Sequence, residues 1–212
     1  MALPKNPFVF VAPRKDEFAP ERKKIVDEIK KQIKGKHFFF IIYGERGVGR
    51  TLILKMLIKD LKNVEEYKFG PRILTSLKER AQKKKKSTIA IETVELTSKE
   101  FLEKIMNELL KLYNAGNNIL ITTTPETYEF IISNKDLKKV VKSYRLKGLT
   151  YDQAKAMVIS RLNEVRKKKS NSLEPFTEKE LKHIWLKARG NPRLILLICS
   201  FLYQNKMESV KA

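Results

Sequence analysis

The sequence is short of cysteine, of acid and of long apolar runs, and each shortage removes a class of protein. Cys199 is the single cysteine among 212 residues, so no intramolecular disulfide can form. It lies in the apolar run LILLICSFL, which marks a buried, inert thiol rather than a nucleophile. No stretch of about 18 apolar residues occurs, which excludes a helical membrane span. The opening stretch MALPKNPFVFVAPRKDEF lacks the charged-then-apolar layout and cleavage site of a secretory signal. The expectation is a soluble, cytoplasmic chain with no membrane partner. No internal repeat is visible, and low complexity is confined to two basic runs, 83–86 and 166–169.

Acid is the remaining deficit. Asp and Glu number 24 against 45 Lys and Arg, a formal net charge of +21. An excess of that size points to an anionic partner, nucleic acid foremost and DNA first. Heat adaptation is the other source of lysine, and many Lys, Glu and Ile with few Gln fit a thermophile. Such surfaces usually balance Lys with Glu, however, and this one does not. Lys83, Lys84, Lys85 and Lys86 in the first run, and Lys167, Lys168 and Lys169 in the second, are the candidate nucleic-acid contacts. The same lysines also suit the negative ends of helices.

At 42% hydrophobic, the chain can bury one full core with a small appendage. Residues 1–20 are punctuated by proline. PERKKIVDEIKKQIKGK then carries apolar residues at helical spacing and stops at Gly35. HFFFIIYG, STIAIETVEL and NNILITTT are apolar runs of strand length, as expected for strands buried on both faces of a parallel sheet. Helical patterns follow each of them, over 51–63, 97–116 and 126–141. Another helix is expected between Gly70–Pro71 and the first lysine run, and SYRLKGL is a shorter fourth strand. From Gly148 onward only helical patterns remain: TYDQAKAMVISRLNEVRKKK, TEKELKHIWLKAR and PRLILLICSFLYQNKM. The expected architecture is α/β: a three-layer αβα domain with a parallel sheet over 1–147, then a small helical unit over 148–212.

The chemistry centres on GERGVGRT, residues 44–51, between the first apolar strand and a helix. The pattern G-x-x-x-x-G-K-[ST] is met at Gly44, Gly49 and Thr51, with Arg50 where lysine is usual. Glycines let successive backbone N–H groups point at phosphate oxygens, and the next helix adds its positive end. Gly44, Glu45, Arg46, Gly47, Val48, Gly49, Arg50, Thr51 and Leu52 are therefore the candidate nucleotide-binding residues. ATP or ADP is the expected ligand, and Thr51 supplies a hydroxyl to Mg²⁺. A ligand-free, glycine-rich turn is the plainer alternative. Arginine is longer and planar, so binding can survive the exchange at position 50 while hydrolysis suffers.

An ATPase also needs a second strand ending in acid. Glu92 follows Ile89, Ala90 and Ile91 and is the candidate metal ligand and catalytic acid. Thr93 stands where a second acid is usual, and Glu95 is a substitute base. Thr122, Thr123 and Thr124 end the third strand; Thr124 is the candidate that touches the γ-phosphate or the attacking water. In GNPRLIL, Asn191 caps a helix and Pro192 fits its first position. Arg193 is thereby placed to reach a phosphate.

In this order the motifs resemble the AAA+ ATPases, particularly the archaeal origin-recognition and initiator type. VAPRKDEF is similar to the family's N-terminal box, which implies that Pro13 and Arg14 lie against the adenine. GERGVGRT resembles Walker A, IAIETVE Walker B, ILITTT sensor 1 and GNPR the sensor 2 arginine. KGLTYDQAKAMVISRL resembles the start of the lid, with Arg161 in a similar role. The resemblance implies a three-layer αβα P-loop NTPase domain with a small helical lid. It also implies self-association through a neighbour's arginine, for which Arg145 or Lys138, Lys139 and Lys142 are candidates. It departs from the pattern at Arg50, at Glu92–Thr93 and at the threonines of sensor 1, and the winged helix of initiators is not expected in a sequence ending at Ala212. Three functions follow: a nucleotide switch on DNA with weak or absent hydrolysis, a non-catalytic nucleic-acid-binding scaffold, or a signalling ATPase with a protein partner.

Overall fold

The computed structural model describes residues 6–9, 20–83, 85–95 and 97–209. The chain divides into two compact units, one of Lys24–Leu146 and one of Met1–Lys23 with Lys147–Ala212.

The first unit is built on α1 (Pro20–Ile33) from Lys24 onward, β1 (Phe39–Tyr43), α2 (Arg50–Ile58), β2 (Val64–Lys68), α3 (Ile73–Ala81), β3 (Thr88–Val94) and α4 (Lys99–Asn114). It continues with β4 (Asn118–Thr123), α5 (Pro125–Ser133), α6 (Lys135–Val140) and β5 (Val141–Arg145). Five parallel strands pair in the order β2-β3-β4-β1-β5. Strand period two sorts the apolar runs onto opposite faces. Phe39, Ile41, Ile89, Ile91, Ile119 and Ile121 pack with apolar residues of α3 to α6. Their neighbours Phe40, Ile42, Ala90 and Leu120 pack with those of α1 and α2. The result is the expected three-layer α/β P-loop NTPase fold, with three strands apolar because both of their faces are covered.

Two local expectations change. VEEYK forms the edge strand β2, which pairs with β3 alone and is half-exposed, so its polar sequence hides it. The helix expected over 126–141 breaks at Asn134, whose Oδ1 accepts from the N–H groups of Asp136 and Leu137 and starts α6. The chain is then extended from Val141, ahead of the predicted strand.

A buried arginine braces the strand entrances. Arg80 is 1% exposed. It donates to Ser87 Oγ, to Asn117 Oδ1 at 2.9 Å and to the Lys83 and Lys85 carbonyls, and it pairs with Glu65 at 2.8 Å. Burial works against the Glu65 charge. Hydrogen bonds from Ser87 and Tyr67 and the Arg80 guanidinium outweigh it and hold the carboxyl below its ordinary 4.5.

The second unit holds α7 (Tyr151–Asn163), α8 (Glu178–Lys187) and α9 (Pro192–Ser209). Capping boxes at Thr150–Gln153 and Thr177–Glu180 start α7 and α8. Asn191 Oδ1 accepts from the N–H groups of Arg193 and Leu194 to start α9. Phe8 inserts edge-on between Phe176 and Tyr203, so residues 6–9 group with the helices rather than with the sheet. Cys199 is fully buried, and burial pushes its thiol up to about 12, so it is no nucleophile at neutral pH. No described helix is long and apolar enough to cross a membrane.

Removing the brace should be costly. Arg80→Met leaves the Lys83 and Lys85 carbonyls and Glu65 without their donor, and is expected to lower unfolding stability by about 2–4 kcal/mol. Urea denaturation reads it, and a loss under about 1 kcal/mol would contradict the role. The Glu65 contribution is complete above pH 4.5 and is lost as pH falls through its lower folded value. Glu65→Gln should therefore flatten the acid limb of the stability curve.

Candidate functional site

The loop between β1 and α2 lies at the carboxyl edge of the parallel sheet, where open α/β folds place ligands. The Gly44 N–H donates to the Thr123 carbonyl at 3.2 Å, which ties the loop's start to β4. A Cβ at Gly44 would sit 2.4 Å from the Leu146 carbonyl oxygen, so only glycine fits. Gly49 has φ +99°, a left-handed turn that feeds directly into α2. It caps α2 without a side-chain hydrogen bond, leaving the helix's first N–H groups for another acceptor.

Arg50 opens that helix and is 7% exposed. Its Nη1 is buried and has no hydrogen-bond partner among the described residues. Burial lowers the guanidinium's affinity for its proton, and Arg46 adds to that. The charges of Glu95 and Glu45 oppose it. An orphaned buried donor is costly unless a ligand meets it. Next in sequence, Thr51 Oγ1 donates to Glu92 Oε1 at 2.8 Å. The two candidate metal ligands are thus in contact across β4. Arg46 of the loop pairs with Glu95 at 2.8 Å, so the substitute base is already engaged.

Glu92 owes its position to a bulge. The β3–β4 register shifts between Ile91 and Val94, and Thr93 sits at φ +57°, a strained setting for a β-branched residue. The fully buried threonines of β4 hold it there. Thr122 Oγ1 accepts from the Thr93 N–H at 2.8 Å, and Thr123 Oγ1 donates to the Val94 carbonyl at 2.6 Å. Thr124 serves elsewhere. Its hydroxyl accepts from the Thr127 N–H and pairs with the Thr127 hydroxyl, capping α5.

The structure therefore gathers Gly44 to Leu52, Glu92 and Glu95 at one edge. Lys83, Lys85 and Lys86 precede β3 and lie at the opposite, amino edge. Lys167, Lys168 and Lys169 are exposed after α7 in the helical unit, near the loop that Arg166 ties to the Ser170 and Glu174 carbonyls. Arg193 stands in the first turn of α9, and Arg161 is buried in α7 with Glu164 at 3.9 Å. Pro13, Arg14 and Lys84 lie outside the described residues. Among the described residues no group of three or more His, Cys, Asp or Glu gathers to hold a metal.

A glycine loop on a parallel sheet, with strand β4 between it and the acid-bearing strand, defines the fold of a P-loop NTPase. The chain belongs to the KAP family P-loop domain, whose family profile matches residues 18–210. No curated protein matches the sequence. Among solved structures, the chain is similar to the RuvB Holliday junction branch migration motor of Thermotoga maritima. The identity is 14% and the TM-score 0.60, over 97% of this chain and 68% of that one. It is similar to Cdc6p of Pyrobaculum aerophilum, at 14% identity and TM-score 0.57, over 97% of this chain and 68% of that one. The ADP complex of S. cerevisiae Hsp104 matches at 14% identity and TM-score 0.57, over 90% of this chain. The chain spans only 32% and 36% of the two Hsp104 chains it matches. At such identities the likeness is one of fold.

The bulge gives a paired test by thermal or chemical denaturation. Thr122→Val orphans the Thr93 N–H and should cost about 1–3 kcal/mol. Thr93→Gly relieves the left-handed strain and should leave stability unchanged or raise it by up to about 1 kcal/mol. A large loss from Thr93→Gly would show that its side chain, not the Thr122 bond, holds the bulge.

Proposed function

We propose that this chain binds ATP or ADP through the loop 44–52 and acts as a nucleotide-dependent switch on DNA, with weak or absent hydrolysis. Arg50 carries the reading: a buried cationic donor with an unmet Nη1 sits at the start of a helix that lacks a side-chain cap. A phosphate answers both needs, since it accepts from the guanidinium and from backbone N–H groups at a helix start. The loop's donors fit a nucleotide's phosphates, and Thr51 with Glu92 fits Mg²⁺. This ion is commonly held by one or two protein oxygens with phosphate and water making up the rest. Bound Mg²⁺ would neutralise charge on the phosphate oxygens.

The residues that activate water are the weak part. Thr93 offers no carboxylate, Glu95 is paired with Arg46, and the Thr124 hydroxyl is spent on the α5 cap. Arg50 fills the lysine position with a longer, planar group. These features support binding without efficient turnover. The contacts assigned to Pro13, Arg14 and Arg193 belong to the same proposal, and so does DNA as partner, for which the net charge of +21 is the support.

Calorimetric titration of MgADP against three proteins tests the reading. The wild type should bind saturably, and Arg50→Ala should weaken binding at least about tenfold, the worth of a charge-assisted hydrogen bond. Arg50→Lys should bind and turn ATP over faster than wild type. No saturable binding of ATP or ADP by the wild type at any Mg²⁺ concentration would refute it.

A further inference from the structure

We propose that the amino edge of the sheet, opposite the phosphate loop, is a docking surface for single-stranded nucleic acid. It rests on the nucleic-acid half of the function proposed above and not on the nucleotide half.

The parallel topology lines up the residues that enter each strand. In the order β2-β3-β4-β1-β5, Lys62 precedes the first strand, Lys86 the second, Lys36 the fourth and Lys139 the fifth. The entrance to β4 has Gly116 in place of a lysine, and the Lys86 side chain lies over it: a Cβ there would sit 2.8 Å from Lys86 Nζ. Neighbouring strands are about 4.8 Å apart, so this basic row runs for roughly 19 Å.

Helix dipoles do not account for it. The C-terminal ends of α1, α2, α3, α4 and α6 reach this edge, because the helices that lead into the strands run against them. Five such ends amount to about −2.5 charges. Lys34, Lys36, Lys62, Lys85 and Lys86 are all exposed, and none forms an ion pair with the described residues. Three of the acids nearby are committed, Asp60 to Lys30, Glu65 to Arg80 and Lys83, and Asp136 to Lys139, and exposed Glu79 in the last turn of α3 offsets one ammonium group. A net excess therefore remains. It is also presented rigidly on one side, since Arg80 holds the Lys83 and Lys85 carbonyls, and little ordering is left to be done on binding.

An aromatic face within the row favours a single strand over a duplex. His37 is exposed and stacks flat on Tyr113, with ring centroids 4.1 Å apart and planes 7° apart. Its Nε2–H donates to the Asn117 carbonyl at 3.0 Å, which fixes the ring. A fixed ring among ammonium groups suits an unpaired base on a tracked phosphate backbone. A duplex keeps its base faces stacked away.

Fluorescence anisotropy of labelled oligo(dT) across a salt series provides the test. Lys36→Ala, Lys62→Ala, Lys85→Ala and Lys86→Ala combined should weaken binding more than about tenfold and reduce the salt slope by about 3. His37→Ala alone should weaken it by about tenfold. Unchanged urea-denaturation midpoints in both variants show that the fold survives. The assignment is overturned if the combined variant binds oligo(dT) like the wild type, which leaves nucleic-acid binding intact but places it elsewhere. It is also overturned if duplex DNA of equal length displaces the oligonucleotide at equal concentration. Failure of the wild type to bind any nucleic acid, or capture by phosphatidylserine vesicles instead of oligo(dT), overturns both this surface and DNA as the partner.

Discussion

The hydrogen bond from the Thr93 N–H to Thr122 Oγ1 is the constraint on which the site's geometry depends. It holds a β-branched residue in a left-handed conformation that costs on the order of 1–3 kcal/mol. The strained bulge sets Glu92 against Thr51, the first turn of α2. Strain of this kind persists only where surrounding groups over-determine it, and two buried threonines on the adjacent strand do so. The same strand receives the Gly44 N–H at its Thr123 carbonyl. Strand β4 thus acts as the spacer between the phosphate loop and the acid.

Much of the fold can be read from the amino-acid pattern, and the exceptions have physical causes. HFFFIIY, STIAIETV and NILITT are visible as buried strands because both of their faces meet helices. VEEYK is invisible because an edge strand needs polar residues where it meets water. The break at Asn134 is hidden inside a run of helix formers, although asparagine's preference for N-caps is the signal that marks it. Strand order leaves no trace in composition. In a parallel sheet, however, lysines ahead of STIAIETV must enter at the edge away from the loop that follows HFFFIIY, so the placement of Lys83, Lys85 and Lys86 is legible.

The site divides in the same way. The loop 44–51 is legible from glycine spacing and its flanking elements, and Glu92 from its place after an apolar strand. The roles of the three threonines 122–124 are not legible. Threonine is an ordinary strand residue, and only the bulge shows that Thr122 and Thr123 brace β3 while Thr124 caps α5. Arg80 escapes notice because a fully buried arginine looks like any surface arginine in a chain this basic. Its network, through Ser87, Asn117 and Glu65, links three strand entrances and holds the basic loop.

The two ends of the sheet thus carry opposite kinds of chemistry on one rigid core. One offers an unmet buried cation and a hydroxyl–carboxylate pair, the other a row of exposed ammonium groups. The most direct measurement is a crystal structure of the protein with MgADP. A phosphate oxygen should lie within hydrogen-bond distance of Arg50 Nη1, with the Thr51 hydroxyl turned from Glu92 to the metal. An Arg50 that stays unmet, or pairs with protein groups while the nucleotide sits elsewhere, would contradict the assignment of this loop.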